Sequence, residues 1–194
     1  MKQNTGVGVK GHIKIFDPNT GEVFVEKNNA INFEAMSLAL ANSLGYKGTL
    51  TGFISRMVFG NGASSIDATG LITYLPPNVT GTNAKLYSKT YPLTVAEEPA
   101  LTMSVTHTSP NLYSDLLISC VIPFGAPTNQ AAFDNDPTLT NSYTFDELGL
   151  EADIAGVGML ISHVVFHPVQ KSLNREIQID YTIRIQALTN LMSI

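Results

Sequence analysis

The sequence predicts a mainly β protein, an antiparallel β-sandwich of jelly-roll-like form with an N-terminal β-hairpin and one packed α-helix. Two observations predict this class. About eight segments have the pattern of strands and one has the period of a helix, and strands and helices do not alternate along the chain. The 194 residues fit one domain, and no repeat or linker interrupts them, so we interpret residues 1–194 as a single β-sandwich domain.

The chain begins with a predicted arm and hairpin. Residues 1–10 contain two glycines, which favour a flexible arm. Apolar and polar residues then alternate over 12–16 and again over 22–26. Between them, the segment 17–21 reads Asp-Pro-Asn-Thr-Gly, which is typical of a tight turn. We therefore expect two antiparallel strands here.

The single predicted helix follows the hairpin. Asn32 is placed to cap it, Glu34 lies in its first turn and Gly45 comes just after its end. Five apolar residues recur at helical spacing and fall on one face, namely Phe33, Met36, Leu40, Ala41 and Leu44. This face indicates a helix that packs on the sandwich.

The rest of the chain has mostly β patterns. The longest regular alternation covers 177–187 and predicts a strand with one apolar and one solvated face. The apolar run 116–124 is typical of a strand buried on both faces. Further strands are predicted at 53–59, 71–75, 101–107, 143–145 and 159–166.

Two long loops are expected to form contacts between subunits. Residues 76–99 and 125–142 show no regular period, and loops longer than about 12–15 residues in a compact domain are usually functional. The interface residues that we predict share only their position in or beside these loops. They are Tyr74, Pro76, Pro77, Tyr87, Tyr91, Phe133, Asp134 and Asp136.

Composition argues against several kinds of partner. Charged residues make up only 14% of the chain and the net charge is -5, without a basic cluster, so we expect no nucleic-acid partner. The first residues lack the apolar core of a signal peptide, and no apolar stretch approaches the roughly 18 residues of a membrane span. We therefore expect no membrane partner. A low-charge surface suits permanent subunit contacts.

Metal and cofactor sites are weakly indicated. His163 and His167 have a spacing that suits a metal on a helix, but on a strand they would lie about 13 Å apart. Asp134 and Asp136 resemble the start of a calcium loop without its glycine and glutamate, which leaves open a calcium site of another kind. Cys120 lies in an apolar strand and is interpreted as a buried structural thiol. We expect no cofactor and no small-molecule substrate.

Catalytic motifs are also missing from the sequence. It contains no nucleophile elbow, phosphate-binding loop or zinc-protease motif. Asp146 and Glu147 are adjacent carboxylates, but neighbours on a regular strand face opposite ways, so we do not expect them to act together. The sequence therefore predicts a protein that is not an enzyme.

Several segments resemble the virion structural proteins of tailed bacteriophages. They read GHIKIFDPNTGEVFVEKNNAINFEAM, MVFGNGASSIDATGLITYLPP, YTFDELGL and HPVQKSLNREIQIDYTIRIQ. The hairpin pattern D-x-x-T-G-E-V and the segment E-L-G-L resemble patterns of phage neck, tail and baseplate components most strongly. The resemblance covers most of the chain, from about residue 11 to 188.

The resemblance implies a β-rich assembly module located in the virion and assembled in the host bacterial cytoplasm. It implies a non-enzymatic homo-oligomer in the head–tail connector, neck or collar, or tail, whose partners are further copies of itself and other virion structural proteins. One alternative is a capsid decoration protein that stabilises the outer shell. A less favoured one is a carbohydrate-binding or hydrolytic module of a tail appendage.

Overall fold

The computed structural model describes residues 5–45, 51–94, 101–109, 112–127 and 143–189. Within these residues the chain forms one helix, α1 (Phe33–Leu44), and twelve strands. The strands are β1 (Thr5–Phe16), β2 (Val23–Asn28), β3 (Ala30–Ile31), β4 (Ile54–Gly60), β5 (Ser64–Ile66), β6 (Ile72–Tyr74), β7 (Lys89–Thr94), β8 (Leu101–Thr108), β9 (Tyr113–Ile122), β10 (Thr144–Ile154), β11 (Val157–Gln170) and β12 (Ile177–Thr189).

Two antiparallel five-stranded sheets pack against each other. Sheet 1 has the order β2-β1-β12-β9-β8 and sheet 2 the order β3-β11-β10-β4-β7. One apolar cluster fills the space between them, and the sulfur atoms of Cys120 on sheet 1 and Met57 on sheet 2 lie 3.4 Å apart within it. The mainly β class, the antiparallel sheets and the packed helix confirm the predicted fold class. The strand order does not confirm jelly-roll connectivity.

The N-terminal hairpin forms as predicted, but the predicted flexible arm is wrong for residues 5–10. Strand β1 runs on from the hairpin to Thr5, where it pairs with Thr189 at the end of β12. The long partner strand supplies backbone hydrogen-bonding groups along all of β1, and this outweighs the conformational freedom of the glycines. Residues 1–4 lie outside the described residues.

Strands β9 and β12 each have one buried and one more exposed face. In β12 the apolar residues Ile179, Tyr181 and Ile183 are buried and their neighbours are half-buried, as the alternation predicts. In β9 only alternate residues near its end are buried, and Leu117 is exposed. The prediction that 116–124 is buried on both faces is therefore wrong, because nothing described covers the outer face of sheet 1 there.

Helix α1 packs on β10 and β11 and begins where the sequence predicts. The Asn32 side chain accepts a hydrogen bond from the Ala35 backbone N–H at 3.3 Å, which satisfies a group that has no partner in the first turn. The buried face consists of Ala35, Met36 and Ala39, so the predicted apolar face is wrong for Phe33 and Leu44, which are exposed. No helix within the described residues is long and apolar enough to cross a membrane.

Candidate functional site

Residues 61–88, called the strap here, lie across the outer face of sheet 2. The strap contains the small hairpin β5–β6, and its residues Ala84 and Leu86 pack with Val58 and Leu160 in a cluster separate from the core between the sheets. Four buried polar side chains outside the strap bind its backbone. They are Asn32, Asp146, Glu147 and His163.

Glu147 on β10 is the central anchor of the strap. Its carboxylate accepts backbone N–H groups from Gly62 at 3.2 Å, Tyr87 at 2.9 Å and Ser88 at 2.7 Å. The side chain is fully buried. Burial by itself would raise the pKa of Glu147, but the hydrogen bonds from His163 and the three backbone groups together lower this pKa below its ordinary value. The buried carboxylate is therefore ionised and joins the two ends of the strap.

His163 on β11 extends this anchor to the middle of the strap. Its Nδ1 accepts the backbone N–H of Asn78 at 2.8 Å, so the proton of the neutral ring lies on Nε2. Nε2 then donates to Glu147 Oε2 at 3.0 Å. The ring also lies 5.8 Å from the ring of Tyr87, measured between centroids. One imidazole thus connects the carboxylate to Asn78, in the middle of the strap, and packs beside the ring of Tyr87.

Asp146 binds the strap beside Glu147, which corrects the expectation that these neighbours face opposite ways. It accepts the backbone N–H groups of Ala63 at 3.2 Å and Ser64 at 2.7 Å, and the Ser64 hydroxyl at 2.5 Å. The pairing of β10 with β11 shifts register between Phe145 and Glu147, and such a bulge re-aims the side chains around it. Burial raises the pKa of Asp146 despite these hydrogen bonds.

Two glycines make room for the anchor where β4 runs into the strap. A Cβ atom on Gly60 would lie 2.5 Å from Glu147 Oε1, and one on Gly62 would lie 2.7 Å from the Cβ of Ser88. Both distances are too short for any other residue without movement. The segment Gly60-Asn61-Gly62 thus serves close packing around a carboxylate.

The hairpin β5–β6 of the strap has a turn closed by hydrogen bonds and an exposed apolar surface. Asp67 Oδ1 closes its turn by accepting the backbone N–H groups of Thr69 at 2.8 Å and Leu71 at 3.0 Å. Large apolar or aromatic side chains on and beside this hairpin remain exposed. They are Ile66, Leu71, Tyr74 and Leu75.

A shallow cleft of about 340 Å³ separates the end of this hairpin from β11. Tyr74 and Pro77 line it from the strap, and Lys27 and His167 line it from the sandwich. The Tyr74 hydroxyl lies 3.0 Å from His167 Nδ1, and Lys27 Nζ donates to the backbone carbonyl of Val165 at 2.7 Å. The two histidines predicted from their spacing thus contact different partners, His163 in the anchor and His167 at the cleft.

Five of the eight predicted interface residues lie in or next to the strap. Tyr74, Pro76, Pro77 and Tyr87 are exposed, and the Tyr87 hydroxyl donates to the Pro76 carbonyl at 2.7 Å. Tyr91 instead lies in β7, half-buried beside the rings of Phe59 and Phe145.

The first of the two predicted long loops contains a strand, and most of the second lies outside the described residues. The prediction that 76–99 is irregular is wrong for Lys89–Thr94, which pairs with β4 as the edge of sheet 2. Most of the second loop, 128–142, lies outside the described residues. Phe133, Asp134 and Asp136 are therefore not described.

The anchor's chemistry is structural. Glu147 and His163 are buried, and both nitrogens of the imidazole form hydrogen bonds within the protein, so these side chains hold the strap in place. Within the described residues, no three His, Cys, Asp or Glu side chains are grouped to hold a metal ion. The parts of the site that a partner could contact are the exposed hairpin and its cleft.

Sequence reasoning missed the anchor, although one signal was present. The segment Thr144-Phe145-Asp146-Glu147-Leu148 places two adjacent acids between apolar residues, and acids that become buried need hydrogen-bond donors from elsewhere. The identity of those donors, which are backbone groups of the strap, depends on tertiary structure.

Comparison of the chain with the models of known protein families, with curated proteins and with solved structures gives no match in any of the three.

Proposed function

We propose that the chain is a non-enzymatic structural subunit of a tailed-bacteriophage virion that forms intersubunit contacts in the head–tail connector, neck or tail. The observation that carries this proposal is the use of buried polar side chains on the sheet to hold the strap. Carboxylates and an imidazole hold an irregular segment on the sheet, and that segment presents uncharged apolar side chains outward.

The hydrogen bonds within the hairpin support a role in binding. Its turn is closed by Asp67, and its strands pair over three positions. A segment that is already ordered loses little conformational entropy when it binds. Leu71 is 62% exposed and Tyr74 is 48% exposed, so the apolar surface that binding would bury is present before contact.

The chemistry of the hairpin also favours a protein partner. Across 64–75 the only charged residue is Asp67, and its carboxylate is engaged with backbone and hydroxyl groups of its own turn. Interface cores are depleted in charge and enriched in aromatic residues. The sequence segments that resemble virion proteins of tailed bacteriophages are the reason for proposing a phage particle as the assembly.

The test is the molar mass of the purified chain by size-exclusion chromatography with light scattering, over a wide concentration range. We expect a discrete oligomer, and we expect the double variant Leu71→Ser/Tyr74→Ser to weaken it at least tenfold in dissociation constant. The matched control is Leu173→Ser, which removes an exposed leucine from a turn outside the strap.

The outcomes separate the alternatives. Loss of the oligomer in the double variant but not in Leu173→Ser supports the proposal. An oligomer that both variants retain contradicts the role of the hairpin. A strict monomer that binds only preformed particles would favour the capsid decoration alternative.

A further inference from the structure

The edges of the two sheets differ in how they are protected from pairing with another strand. Edge strand β2 carries Glu26 and Lys27, β3 has only two residues, and β7 contains Lys89 and Pro92. Charges, prolines and short strands are the usual means of blocking edge-to-edge association. These three edges are therefore protected.

Strand β8 has none of these protections. Its eight residues, LTMSVTHT, include no Lys, Arg, Asp, Glu or Pro. All side chains from Thr102 to His107 are exposed, and within the part of the chain that the structure describes, β9 is the strand that pairs with β8. The outer edge of β8 thus has the properties of a strand that is paired in an assembly.

We propose that β8 pairs with β8 of a second copy of this chain, in antiparallel fashion about a two-fold axis, and so joins two copies of sheet 1 into one continuous sheet. This inference deepens the proposed function, on which its biological meaning rests, by naming a partner and a surface.

The sequence of β8 is self-complementary in this arrangement. Opposed residues of an antiparallel pair share a face, so a register centred on Val105 places Val105 opposite Val105 of the second copy. Met103 then lies opposite His107, and Ser104 opposite Thr106. Met103, Val105 and His107, which lie on the inner face, thus oppose only one another. The hydroxyl side chains of Ser104 and Thr106 oppose each other on the outer face, and such cross-strand pairs are favourable.

An apolar groove beside β8 gives this pairing a surface to bury. The groove has a volume of about 380 Å³ and lies between α1 and sheet 1, with Met103, Leu116 and Ile183 among its lining residues. Val105 is 73% exposed and lies on the same face as Met103, next to this groove. A second β8 strand would continue this apolar row across the axis.

The charges nearest to the edge do not oppose the pairing. Asp115 and Arg184 form a two-point ion pair at 2.7 Å for each bond, so neither presents an unbalanced charge to the second copy. Because β8 carries no charge and the charges of Asp115 and Arg184 balance each other, the edge is better suited to bind a second β8 strand than a charged peptide.

The first test introduces a charge at Val105, the residue that lies on the proposed two-fold axis. Val105→Lys places two ammonium groups against each other across the pair, and we expect it to weaken dimerisation at least a hundredfold. The control, Val157→Lys, changes a valine that is 58% exposed on a strand of sheet 2. Both variants should keep the wild-type circular dichroism, since both positions face solvent in the single chain.

The second test reads the register directly. Val105→Cys should form a disulfide between two copies under mild oxidation, since opposed residues of a strand pair meet the distance that a disulfide needs. Val157→Cys should not, and the native Cys120 is fully buried. The expected product is a covalent dimer on non-reducing electrophoresis.

The outcomes distinguish this inference from the proposed function. A wild-type chain that is monomeric at all concentrations and a Val105→Cys variant that does not cross-link would overturn the β8 pairing. A dimer that Val105→Lys leaves intact would also overturn it. A dimer lost in Val105→Lys but kept in Leu71→Ser/Tyr74→Ser would support the pairing while contradicting the role of the strap hairpin.

Discussion

Sheet 1 and sheet 2 use polar residues in opposite ways. On sheet 2, the strap covers the outer face, so β10 is buried on both sides and its acids hold the strap from within. On sheet 1, the outer face remains more open, and Asp115 forms an ion pair with Arg184 there that is partly exposed to solvent. The difference shows that a buried acid fixes an irregular segment, whereas an exposed acid mainly makes the surface polar.

The largest expected effect is the loss of the anchor on sheet 2. Glu147→Ala removes a fully buried carboxylate and leaves three backbone N–H groups and His163 without their acceptor. We expect the free energy of unfolding to fall by about 3–5 kcal/mol, since each buried donor left without an acceptor costs about 1–3 kcal/mol. Urea unfolding followed by circular dichroism measures it.

The control for this variant is Glu26→Ala on the edge of sheet 1. The Glu26 side chain is 55% exposed and lies 3.8 Å from His12, so we expect a change within about 0.5 kcal/mol. Equal losses in both variants would mean that the strap is not held by its buried carboxylate.

The next effect is a dependence of stability on pH, to which Glu147 and Asp146 contribute with opposite signs. Since the pKa of Glu147 is lowered from its ordinary value of 4.5, its stabilising contribution is present above that pH and is lost as the pH falls below it. The pKa of Asp146 is raised from 3.8, so its contribution has the opposite sign and declines as the pH rises.

Two conservative variants test these signs. The stability difference between wild type and Glu147→Gln should shrink as the pH is lowered from 7 to about 3. The difference between wild type and Asp146→Asn should change in the opposite direction over the same range. Urea midpoints at several pH values measure both, and parallel curves for all three proteins would contradict the assignment.

The smallest effect is expected on the outer face of sheet 1. Asp115→Asn breaks a two-point ion pair with Arg184, whose guanidinium also lies 3.8 Å from the centre of the Tyr113 ring. Because this pair is partly exposed to solvent, we expect a loss of about 0.2–1 kcal/mol. The loss should decrease further in 1 M salt, where the Debye length is about 3 Å. A loss as large as that of Glu147→Ala would contradict the comparison of the two sheets.

The elements that the sequence predicts correctly are those whose signals lie close together in the chain. Strand β12 alternates because one face meets the core and the other is more open, so its period alone identifies it. The helix and the first hairpin carry local signals in Asn32 and in the turn that Asp17 closes. These elements form as predicted because their signals lie within a few residues.

The burial of β9 was predicted wrongly, and the burial of the acids in β10 was not predicted. The apolar run of β9 indicated burial on both faces, but Leu117 is exposed. Strand β10 carries four acids, yet three of them, Asp146, Glu147 and Glu151, are buried. Whether a second layer covers a sheet depends on a segment distant in sequence, and in β10 that segment is the strap with its backbone donors. Composition within a strand cannot show this.

The most direct test of the account is amide hydrogen exchange in the strap of the wild-type chain. If buried side chains hold the strap, the amides of Tyr87, Ser88 and Asn78, which donate to Glu147 and His163, should exchange about as slowly as those of β10, although they belong to no regular sheet. Exchange of these three amides at the rate of an unstructured peptide would contradict the account.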